Sequence, residues 1–504
     1  MNMNSANKLP SQQQVVVIGS GVAGLATAIR LACRGFQVCV LEKNAFPGGK
    51  LHHFEQNGFH FDAGPSLFTR PHLIEELFQL AGEPMDDYLS YERLPISCHY
   101  FYETGPMVQA WANRELLALE LAQKHGEDEF SIINYLEKAD SLFKRVGNIF
   151  LTHSLHSLQT LHEAPIADAI AATRWRHLFS SMHSLNQSAF RNPKTVQLFD
   201  RYATYNGSNP YSAPGMLSMI AHLEHNEGSF YPKGGMISIT RALHRLAVKL
   251  GVKFHFNSPV SRIVVKDGRV SGVEVGSELL PADRVVSNVD VYFTYLRLLK
   301  QPEVAEKILR QERSSSAMIF YWGIRKNFPQ LNLHNIFFSE NYESEFTHLF
   351  QHKTLYKDPT VYINITSKCE PGIQAPEGME NWFVMINVPA NIGQNWQQYR
   401  TESRERIIAK LSRILGVEIE ELIISESVAD PVSIEALTDS YMGSLYGTSS
   451  NSKMAAFLRH PNFSKAISGL YFVGGSVHPG GGIPLCLSSA AITEKIIWQN
   501  QMQY

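Results

Sequence analysis

The sequence lacks an excess of charge of either sign. Its 45 Lys and Arg residues nearly balance its 47 Asp and Glu residues, which gives a net charge of -2 at pH 7. Such a balance argues against general nucleic-acid binding, which needs a basic surface to meet the phosphates. Charged residues are 18% of the 504 residues, against roughly 25% in an average soluble domain, and hydrophobic residues reach 44%. This composition excludes wholesale disorder and predicts a large core shared by two or three domains.

Cysteine is also scarce. The five cysteines form no CxxC pair and are scattered along the chain: Cys33, Cys39, Cys98, Cys369 and Cys486. An odd, scattered set predicts reduced thiols and not a disulfide framework. Residues 1–14 lack the basic start and apolar run of a signal peptide, and no run of about 18 apolar residues could cross a bilayer as a helix. We therefore expect an intracellular, cytoplasmic protein that is soluble or attached peripherally to a membrane surface.

The first part of the chain contains a complete βαβ unit. A strand, a glycine-rich turn, a helix and a second strand are predicted at residues 15–18, 19–24, 25–34 and 37–41. In the turn, Gly19 permits the sharp bend, Gly21 lets the backbone approach a pyrophosphate, and Gly24 lets the helix pack on the strand. Glu42 follows the second strand, where a carboxylate can accept ribose hydroxyls and disfavours a 2′-phosphate. The unit predicts a dinucleotide site that does not take NADP.

Two further glycine-rich segments favour a flavin over a nicotinamide. Gly48-Gly49-Lys50 comes shortly after Glu42, and residues 61–66 read FDAGPS. A second glycine-rich crossing at this distance suits the long, extended FAD better than a compact NAD site. No second GxGxxG motif occurs downstream, so we expect a single dinucleotide site. The electrons must then leave the flavin to an acceptor other than a bound NAD(P)H.

The remaining strands of the fold are predicted in the second half of the chain. Alternating apolar residues and glycine-rich turns predict strands at 252–256, 262–265, 270–275, 283–288 and 470–473. The Asp267-Gly268 pair favours a hairpin. Gly474 leads the last strand into a helix at about residues 485–498. Strand-to-helix crossings at both ends of the chain predict an α/β fold with one sheet built from distant segments.

Residues 146–190 carry little charge, with four charged residues and five histidines. One interpretation is a helical flap that rests on lipid, with Arg174 and Arg176 near the headgroups and Trp175 and Phe179 at the interface. The other is an ordinary pair of buried helices, and the sequence leaves both open. The histidine spacings match no metal-ligand pattern, so we expect no metal site.

Four blocks of sequence carry a resemblance to a known family. They are residues 15–43 with the PGGK that follows at 47–50, FDAGPSLFTRP at 61–71, YPKGGM at 231–236 and LYFVGGSVHPGGGIPLCLSSA at 470–490. With these blocks the chain resembles the carotenoid desaturases, a family of FAD-dependent oxidoreductases that includes the bacterial phytoene desaturases. RYATYNGSNPYSAPGML at 201–217 most resembles the branch that acts on hydroxylated carotenoids, which includes the 1-hydroxycarotenoid 3,4-desaturases.

The resemblance implies a fold and an activity. The fold is a discontinuous Rossmann-like FAD-binding domain with a mixed-sheet substrate domain and a helical membrane-contacting flap. The domain boundaries that follow are 1–90, 226–300 and 430–504 for the first domain, and 91–225 and 301–429 for the second. The reaction is desaturation of a carotenoid by hydride transfer to noncovalent FAD, most closely 3,4-desaturation of a 1-hydroxycarotenoid. Oxygen or a quinone would then accept the electrons, and the insoluble substrate would be collected at a membrane surface.

Site residues are carried over from the matching motifs. The implied FAD contacts lie in glycine-rich turns and at strand ends: Gly19, Gly21, Ala23, Gly24, Glu42, Lys50, Gly64, Pro65, Ser66, Leu67, Val260, Asn288, Gly475, Ser476, Gly482 and Ile483. His478 lies between two glycine-rich turns and is a candidate catalytic residue, as are Arg201 and Tyr205 in the 201–217 block. Each also has a structural interpretation, as a hydrogen-bonded buried histidine or as packing and surface contacts.

Other functions stay open at this point. A phytoene desaturase, or a polyene isomerase or saturase of the same superfamily, would use the same motifs. An amine oxidase would need a lysine facing the flavin and an aromatic pair around the amine, and the sequence places neither. A binding module like the GDP-dissociation inhibitors would share the architecture without redox chemistry.

Overall fold

The structure is a computed structural model that describes residues 13–157, 160, 168–169, 173, 175–452 and 459–501. Its strands are β1 Gln14–Ile18, β2 Gln37–Leu41, β3 His53–Gln56, β4 Phe59–Asp62, β5 Tyr91–Arg93, β6 Ile96–Phe101, β7 Val108–Trp111, β8 Phe230–Pro232, β9 Lys253–His255, β10 Val260–Lys266, β11 Arg269–Val275, β12 Glu278–Pro281, β13 Arg284–Ser287, β14 Ser316–Ile324, β15 His334–Phe337, β16 Val361–Asn364, β17 Glu380–Val388, β18 Ile423–Ala429 and β19 Leu470–Phe472. Its α-helices are α1 Val22–Cys33, α2 His72–Ala81, α3 Arg114–His125, α4 Glu129–Leu142, α5 Asn148–Thr152, α6 Trp175–Phe179, α7 Met182–Ala189, α8 Pro193–Asp200, α9 Ile237–Lys249, α10 Val291–Phe293, α11 Pro302–Ile308, α12 Tyr342–Thr347, α13 Trp396–Leu415, α14 Pro431–Thr438 and α15 Ile483–Gln501.

A five-stranded parallel sheet is built from three separate parts of the chain. Its strand order is β9-β2-β1-β13-β19, and every neighbouring pair is parallel. β1 is a run of buried branched residues, as a strand covered on both faces requires. Helices α1, α9 and α15 pack together on one face. Arg34, directly after α1, donates to Glu494 in α15 at 2.6 Å, 460 residues away. The predicted α/β sheet of distant segments is confirmed.

A three-stranded antiparallel sheet, β10-β11-β12, covers the other face of β1. Val15 and Val17 point to the helices, whereas Val16 and Ile18 belong to the core on the side of this second sheet. The β10–β11 turn has positive φ angles at both Asp267 (48°) and Gly268 (73°), as a two-residue hairpin turn needs. The hairpin is therefore where the sequence predicts it, although the preceding strand, β9, joins the parallel sheet.

A mixed seven-stranded sheet forms the second large layer. Its order is β18-β14-β17-β16-β15-β6-β7, with β15 and β6 parallel and the other pairs antiparallel. Alternate residues of β14 face opposite sides: Trp322 lies in the core with helix α13, and Tyr321 lies in the core with the β3–β4 hairpin. The helical segment that contains α3, α4, α7 and α8 packs beside that hairpin on the same side of the sheet. This arrangement confirms the predicted mixed sheet, while the domain boundaries stay a prediction.

The charge-poor segment 146–190 is described only in part. Phe150 and Leu151 of α5 pack with Met216 and with Leu485 of α15, so this portion is internal. Phe179 is 65% exposed. Arg174 and the side chains of Trp175 and Arg176 lie outside the described residues. The lipid-contacting flap therefore stays a prediction. Among the described helices, none combines the length and the apolarity that crossing a membrane requires.

Candidate active site

The carboxyl ends of four parallel strands meet at one edge of the five-stranded sheet. β1 leads into the turn at Gly19, β2 into Glu42, β13 into Asn288 and β19 into Gly474. In an open α/β sheet this edge is where a ligand crevice forms. We call the crevice at the carboxyl ends of these four strands the crossing. Asn288 lies at its centre, because its side-chain amide lies beside both the β1 turn and Gly474.

Glycine is required at the β1 turn because no space exists for a side chain. A Cβ on Gly21 would lie 2.8 Å from the Asn288 side-chain nitrogen, and a Cβ on Gly24 would lie 2.1 Å from the Gly19 carbonyl oxygen. Gly21 caps α1 without any side-chain hydrogen bond. The first amides of α1, at Val22 and Ala23, can therefore meet an anion. A bare glycine backbone at an uncapped helix start fits a pyrophosphate.

Glu42 has a structural role that the sequence does not reveal. Its Oε2 accepts hydrogen bonds from the Ser20 amide at 2.8 Å and the Ser20 hydroxyl at 2.7 Å, and its Oε1 accepts from the Asn44 amide at 3.0 Å. Oε2 has both of its acceptor positions filled in this way, and Oε1 keeps one for a ribose hydroxyl. The amide of Ser258 donates to the Glu42 carbonyl at 2.8 Å, which brings the start of β10 at Val260 close to this side of the crossing.

Lys50 and the turn at residues 64–67 form the second glycine-rich segment of the site. The Lys50 ammonium donates to the Leu445 carbonyl at 2.7 Å, and burial lowers the pKa of Lys50 to about 8, although Asp290 opposes that shift. A Cβ on Gly64 would lie 1.7 Å from the Lys50 carbonyl oxygen, so only glycine fits there. Beyond Pro65, the Ser66 hydroxyl lies 2.7 Å from the Tyr362 hydroxyl on β16. Through this hydrogen bond the 64–67 turn, which ends at Leu67, touches the seven-stranded sheet.

The C-terminal glycine segment lies against the same crossing. A Cβ on Gly475 would lie 3.2 Å from the Cα of Gly481. The Ser476 hydroxyl accepts from the Val291 amide at 3.0 Å, which ties the segment to the residues after β13. Gly482, with φ of +112°, precedes α15, which begins at Ile483. The sequence-predicted FAD residues from all three parts of the chain thus lie around one edge of the sheet.

An internal space adjoins this crossing. Five side chains lie deep among protein atoms and still keep part of their surface accessible: Lys50, Tyr205, Tyr362, Tyr446 and Cys486. Lys50 lies beside the 64–67 turn, Cys486 is on α15 and Tyr362 is on β16, whereas Tyr205 and Tyr446 belong to the segments at 201–206 and 441–452. Side chains that are largely enclosed and still partly accessible indicate an internal space beside them.

His478 is placed differently from the other two candidate catalytic residues. Its side chain is fully buried, its Nε2 lies 2.9 Å from the His153 carbonyl oxygen, and its ring meets Phe150 edge-on. Burial lowers the pKa of His478 to about 4, so the imidazole is neutral. Among the described residues, its hydrogen-bond partners are distinct from those of Arg201 and Tyr205. The structure brings the last two together and leaves His478 apart from them.

Arg201 and Tyr205 converge on a buried carboxylate that the sequence analysis missed. Arg201 Nη2 lies 2.9 Å from Glu224 Oε2, and the Tyr205 hydroxyl donates to the same oxygen. Tyr202 stacks on the guanidinium, with its ring centre 4.5 Å away. Burial alone would raise the pKa of Glu224, but the charges of Arg201 and His225 outweigh it and hold that pKa at about 2. No motif near Glu224 in the sequence indicates a site, because its partners Arg201 and Tyr205 lie 23 and 19 residues earlier in the chain.

Comparisons with known proteins show which family this chain belongs to. The family model for flavin-containing amine oxidoreductases matches residues 22–493. A 1-hydroxycarotenoid 3,4-desaturase from Flavobacterium sp. (strain P99-3) is 50% identical over 485 residues, covering 96% of this chain and 99% of that protein. A 4,4′-diapolycopene oxygenase from Methylomonas sp is 33% identical over 495 residues, covering 96% and 98%. A solved oxidoreductase from Methanosarcina mazei has a TM-score of 0.62 at 15% identity, covering 96% of this chain and all of that one.

These matches agree with the site. The family model extends from the start of α1 at residue 22 to residue 493 in α15, and both relatives extend over 96% of the chain. The likeness to the solved structure, at 15% identity, concerns the fold alone. Among the described residues, no three His, Cys, Asp or Glu side chains are grouped to hold a metal ion. The chain belongs to the flavin-containing amine oxidoreductases, and its cofactor is FAD; within that family its resemblance to the carotenoid desaturases is confirmed.

Proposed function

We propose that this protein desaturates a 1-hydroxylated carotenoid at the 3,4 bond. The observation that carries the proposal is the 50% identity to a 1-hydroxycarotenoid 3,4-desaturase along 99% of that relative. The partly accessible side chains beside the crossing support it, because a long apolar polyene needs a dry path to the flavin. The other polyene activities of the superfamily are alternatives, and the mass of the product distinguishes them.

The FAD assignments of individual residues are part of this proposal. The β1 turn, with Gly19, Gly21, Ala23 and Gly24, would hold the pyrophosphate, and Glu42 and Val260 would hold the ribose and the adenine. The remaining contacts would surround the isoalloxazine: Lys50, Gly64, Pro65, Ser66, Leu67, Asn288, Gly475, Ser476, Gly482 and Ile483. The absence of space for any Cβ at Gly21 and Gly64 supports these roles.

Bound FAD would supply the oxidation by taking up a hydride from one carbon while the neighbouring carbon loses a proton, so that the polyene gains one double bond. The protein's own task is then orientation and exclusion of water. Ser66 and Tyr362 join the predicted flavin side of the cavity to the sheet. The amides at the start of α15 carry partial positive charge, which stabilises nearby negative charge. His478 is neutral and hydrogen-bonded to the His153 carbonyl, so it would have a structural role and would not exchange protons near pH 7.

The electron acceptor and the route of the substrate complete the proposal. Oxygen or a quinone would accept the two electrons, because the sequence contains a single GxGxxG motif. A polyene of this class partitions into lipid, at about 0.8 kcal/mol for each buried CH₂ group, so the protein would collect it at a membrane surface. The 65% exposure of Phe179 supports a contact in the 146–190 segment.

The test is product analysis with the FAD-loaded protein. A 1-hydroxylated acyclic carotenoid should give a product that is two hydrogens lighter, with phytoene and the non-hydroxylated polyene as comparison substrates. A product with an added oxygen atom would instead favour the activity named for the 33% identical relative, and unchanged mass would indicate isomerisation. Acid precipitation should release all the flavin, because no Cys or His matches a flavin attachment position; flavin in the pellet would contradict noncovalent binding.

A further inference from the structure

The cluster around Arg201 and Glu224 faces one side of the seven-stranded sheet. Arg201 and Glu224 come from the helical segment, and His334 on β15 and Tyr362 on β16 come from the sheet. His334 and Tyr362 are directly connected, since His334 Nδ1 lies 2.8 Å from the Tyr362 hydroxyl. Arg201 lies over the Tyr100 ring at 5.3 Å, and Tyr100 on β6 pairs with Ile336, which is two residues from His334 and on the same face of β15, so Arg201 and His334 are neighbours on this face.

Three polar atoms of this cluster are buried without a hydrogen-bond partner among the described residues. They are Glu224 Oε1, Arg201 Nε and His334 Nε2. The three side chains are almost wholly buried, with residue exposures of 1%, 8% and 3%. Buried polar groups in folded proteins are nearly always paired, and an unpaired one is costly. Three at one place indicate that a polar group from outside the chain completes the cluster.

The hydrogen-bonding characters of these atoms specify that group. Glu224 is ionised, so its Oε1 is an acceptor. Arg201 Nε is a donor. The Asn364 side-chain nitrogen donates to the Leu333 carbonyl and lies 3.2 Å from His334 Nδ1, so Nδ1 accepts and the proton is on Nε2. The cluster therefore offers one acceptor and two donors, which complements a hydroxyl group with its single proton and its two lone pairs.

The cluster lies behind two partly accessible tyrosines and is one hydrogen-bonded step from the predicted flavin turn. Tyr205 and Tyr362, which contact Glu224 and His334, both keep accessible surface. Tyr362 in turn contacts Ser66 at 2.7 Å. In a 1-hydroxylated polyene the oxygen is only a few bonds of about 1.5 Å from carbons 3 and 4, hence within about 5 Å of them. A hydroxyl site beside the redox site is what such a substrate demands.

We propose that Glu224, Arg201 and His334 bind the terminal hydroxyl group of the substrate and thereby place the nearby C3–C4 bond at the flavin. This inference rests on the proposed function and adds the residues that determine its specificity. The substrate hydroxyl donates to Glu224 Oε1 and accepts from Arg201 Nε and His334 Nε2. The three are positioning residues, and the apolar remainder of the polyene follows the cavity.

The experiment compares two substrates on matched variants. The probes are a 1-hydroxylated acyclic carotenoid and the same polyene without the hydroxyl group. The variants are His334→Leu and the double change Arg201→Met/Glu224→Met, which removes both charges together and leaves neither unpaired. The control is His99→Leu, a buried histidine on β6 that pairs with Asn335 and therefore faces the opposite side of the same sheet. Bound flavin and melting temperature are recorded for each variant.

We expect the wild type to favour the hydroxylated polyene in kcat/KM. His334→Leu should reduce that preference about tenfold and the double variant about a hundredfold, since a site built for a hydroxyl group discriminates strongly against its absence. The loss should fall on the hydroxylated substrate, with the other polyene within about threefold of its wild-type value. A short tertiary terpenoid alcohol should perturb the flavin absorbance of the wild type at lower concentration than its hydrocarbon does, and this difference should vanish in the double variant.

Two results would overturn these conclusions separately. If the wild type desaturates the hydroxylated polyene but every flavin-loaded variant keeps the wild-type preference, the three unpaired atoms hold a buried water only and the specificity inference is wrong. If the wild type converts neither polyene, the proposed function itself fails, and the inference fails with it. A preference lost equally in His99→Leu would show a general effect of the sheet and would also refute the assigned site.

Discussion

The turn after β1 and the Arg201–Glu224 cluster are both interior sites, but different parts of the chain define them. The turn is defined by backbone and by missing side chains, because a Cβ at Gly21 or Gly24 would lie within 2.8 Å of another atom. The cluster is defined by side chains that arrive from a helical segment and from two strands. The first site is local in sequence, and the second exists only after the tertiary fold has formed.

This difference has consequences for what each site tolerates. A backbone site loses its ligand when any atom is added, whereas a side-chain cluster loses stability when one of its charges is removed. It also explains how the family shares a cofactor and diverges in reaction: the β1 turn serves any dinucleotide flavoprotein, and the cluster can be specific to one substrate. Four predictions test that contrast.

The largest effect is expected at the backbone site. Gly21→Val should abolish FAD binding, because the first added carbon already lies 2.8 Å from the Asn288 amide and the branched methyls fill the pyrophosphate space. Flavin absorbance of the purified protein measures this. Ala32→Val, near the far end of α1, is the control and should keep full flavin content. Normal flavin in Gly21→Val would refute the assignment of this turn.

At the Arg201–Glu224 cluster, removing one charge should destabilise the protein more than removing both. Arg201→Met leaves Glu224 buried and unpaired and should lower the stability by about 3–5 kcal/mol. The double variant Arg201→Met/Glu224→Met should recover most of that loss, since no charge is left without a partner. Chemical denaturation of the flavin-loaded proteins measures both. Equal destabilisation by the single and double changes would show that the pair does not act as a unit.

Glu42 tests whether a side chain contributes to the backbone site. Glu42→Ala should weaken FAD by about 1–3 kcal/mol, because the Ser20 amide and hydroxyl lose their acceptor together with the ribose. Titration of the apoprotein with FAD gives the affinity. Ser20→Ala separates the two roles, since it removes one support of the turn and keeps the carboxylate. An unchanged FAD affinity in Glu42→Ala would mean that the turn is fixed by backbone alone.

The smallest effect on the interior is expected from the outer helices. Replacing Trp175 and Phe179 by Glu should leave bound FAD and stability nearly unchanged, because Phe179 is 65% exposed. The same change should reduce sedimentation with liposomes and lower activity on carotenoid supplied in lipid. If liposome binding survives, the membrane contact lies elsewhere and the segment is an internal helix pair.

Most of the backbone site could be predicted from the sequence. The β1 turn, the second strand to Leu41 and the hairpin at Asp267-Gly268 are where the residue patterns indicate. The predicted helix at 25–34 begins earlier in the structure, at Val22, because Gly21 itself is the cap. The last helix likewise begins at Ile483 and not at 485. These errors are of the size that cap geometry decides, and glycine in a first helical turn obscures the boundary.

The side-chain site could not be predicted because its pairing is long-range. β6 and β15 are parallel neighbours although more than two hundred residues separate them, and no local pattern sets that register. Glu224 becomes significant only once Arg201 and Tyr205 lie beside it. A family motif in the sequence indicated Arg201 and Tyr205. The Glu224 carboxylate that both side chains contact lies outside that motif.

The position of β19 sets the moment at which the protein can acquire its cofactor. β19 is the edge strand that pairs with β13, and Gly474 directly after it lies against Asn288 at the centre of the crossing. A ribosome delivers residues 470–482 more than four hundred residues after the β1 turn has emerged. The FAD site therefore cannot be complete when the β1 turn first folds, and β13 keeps an unpaired sheet edge until β19 joins it.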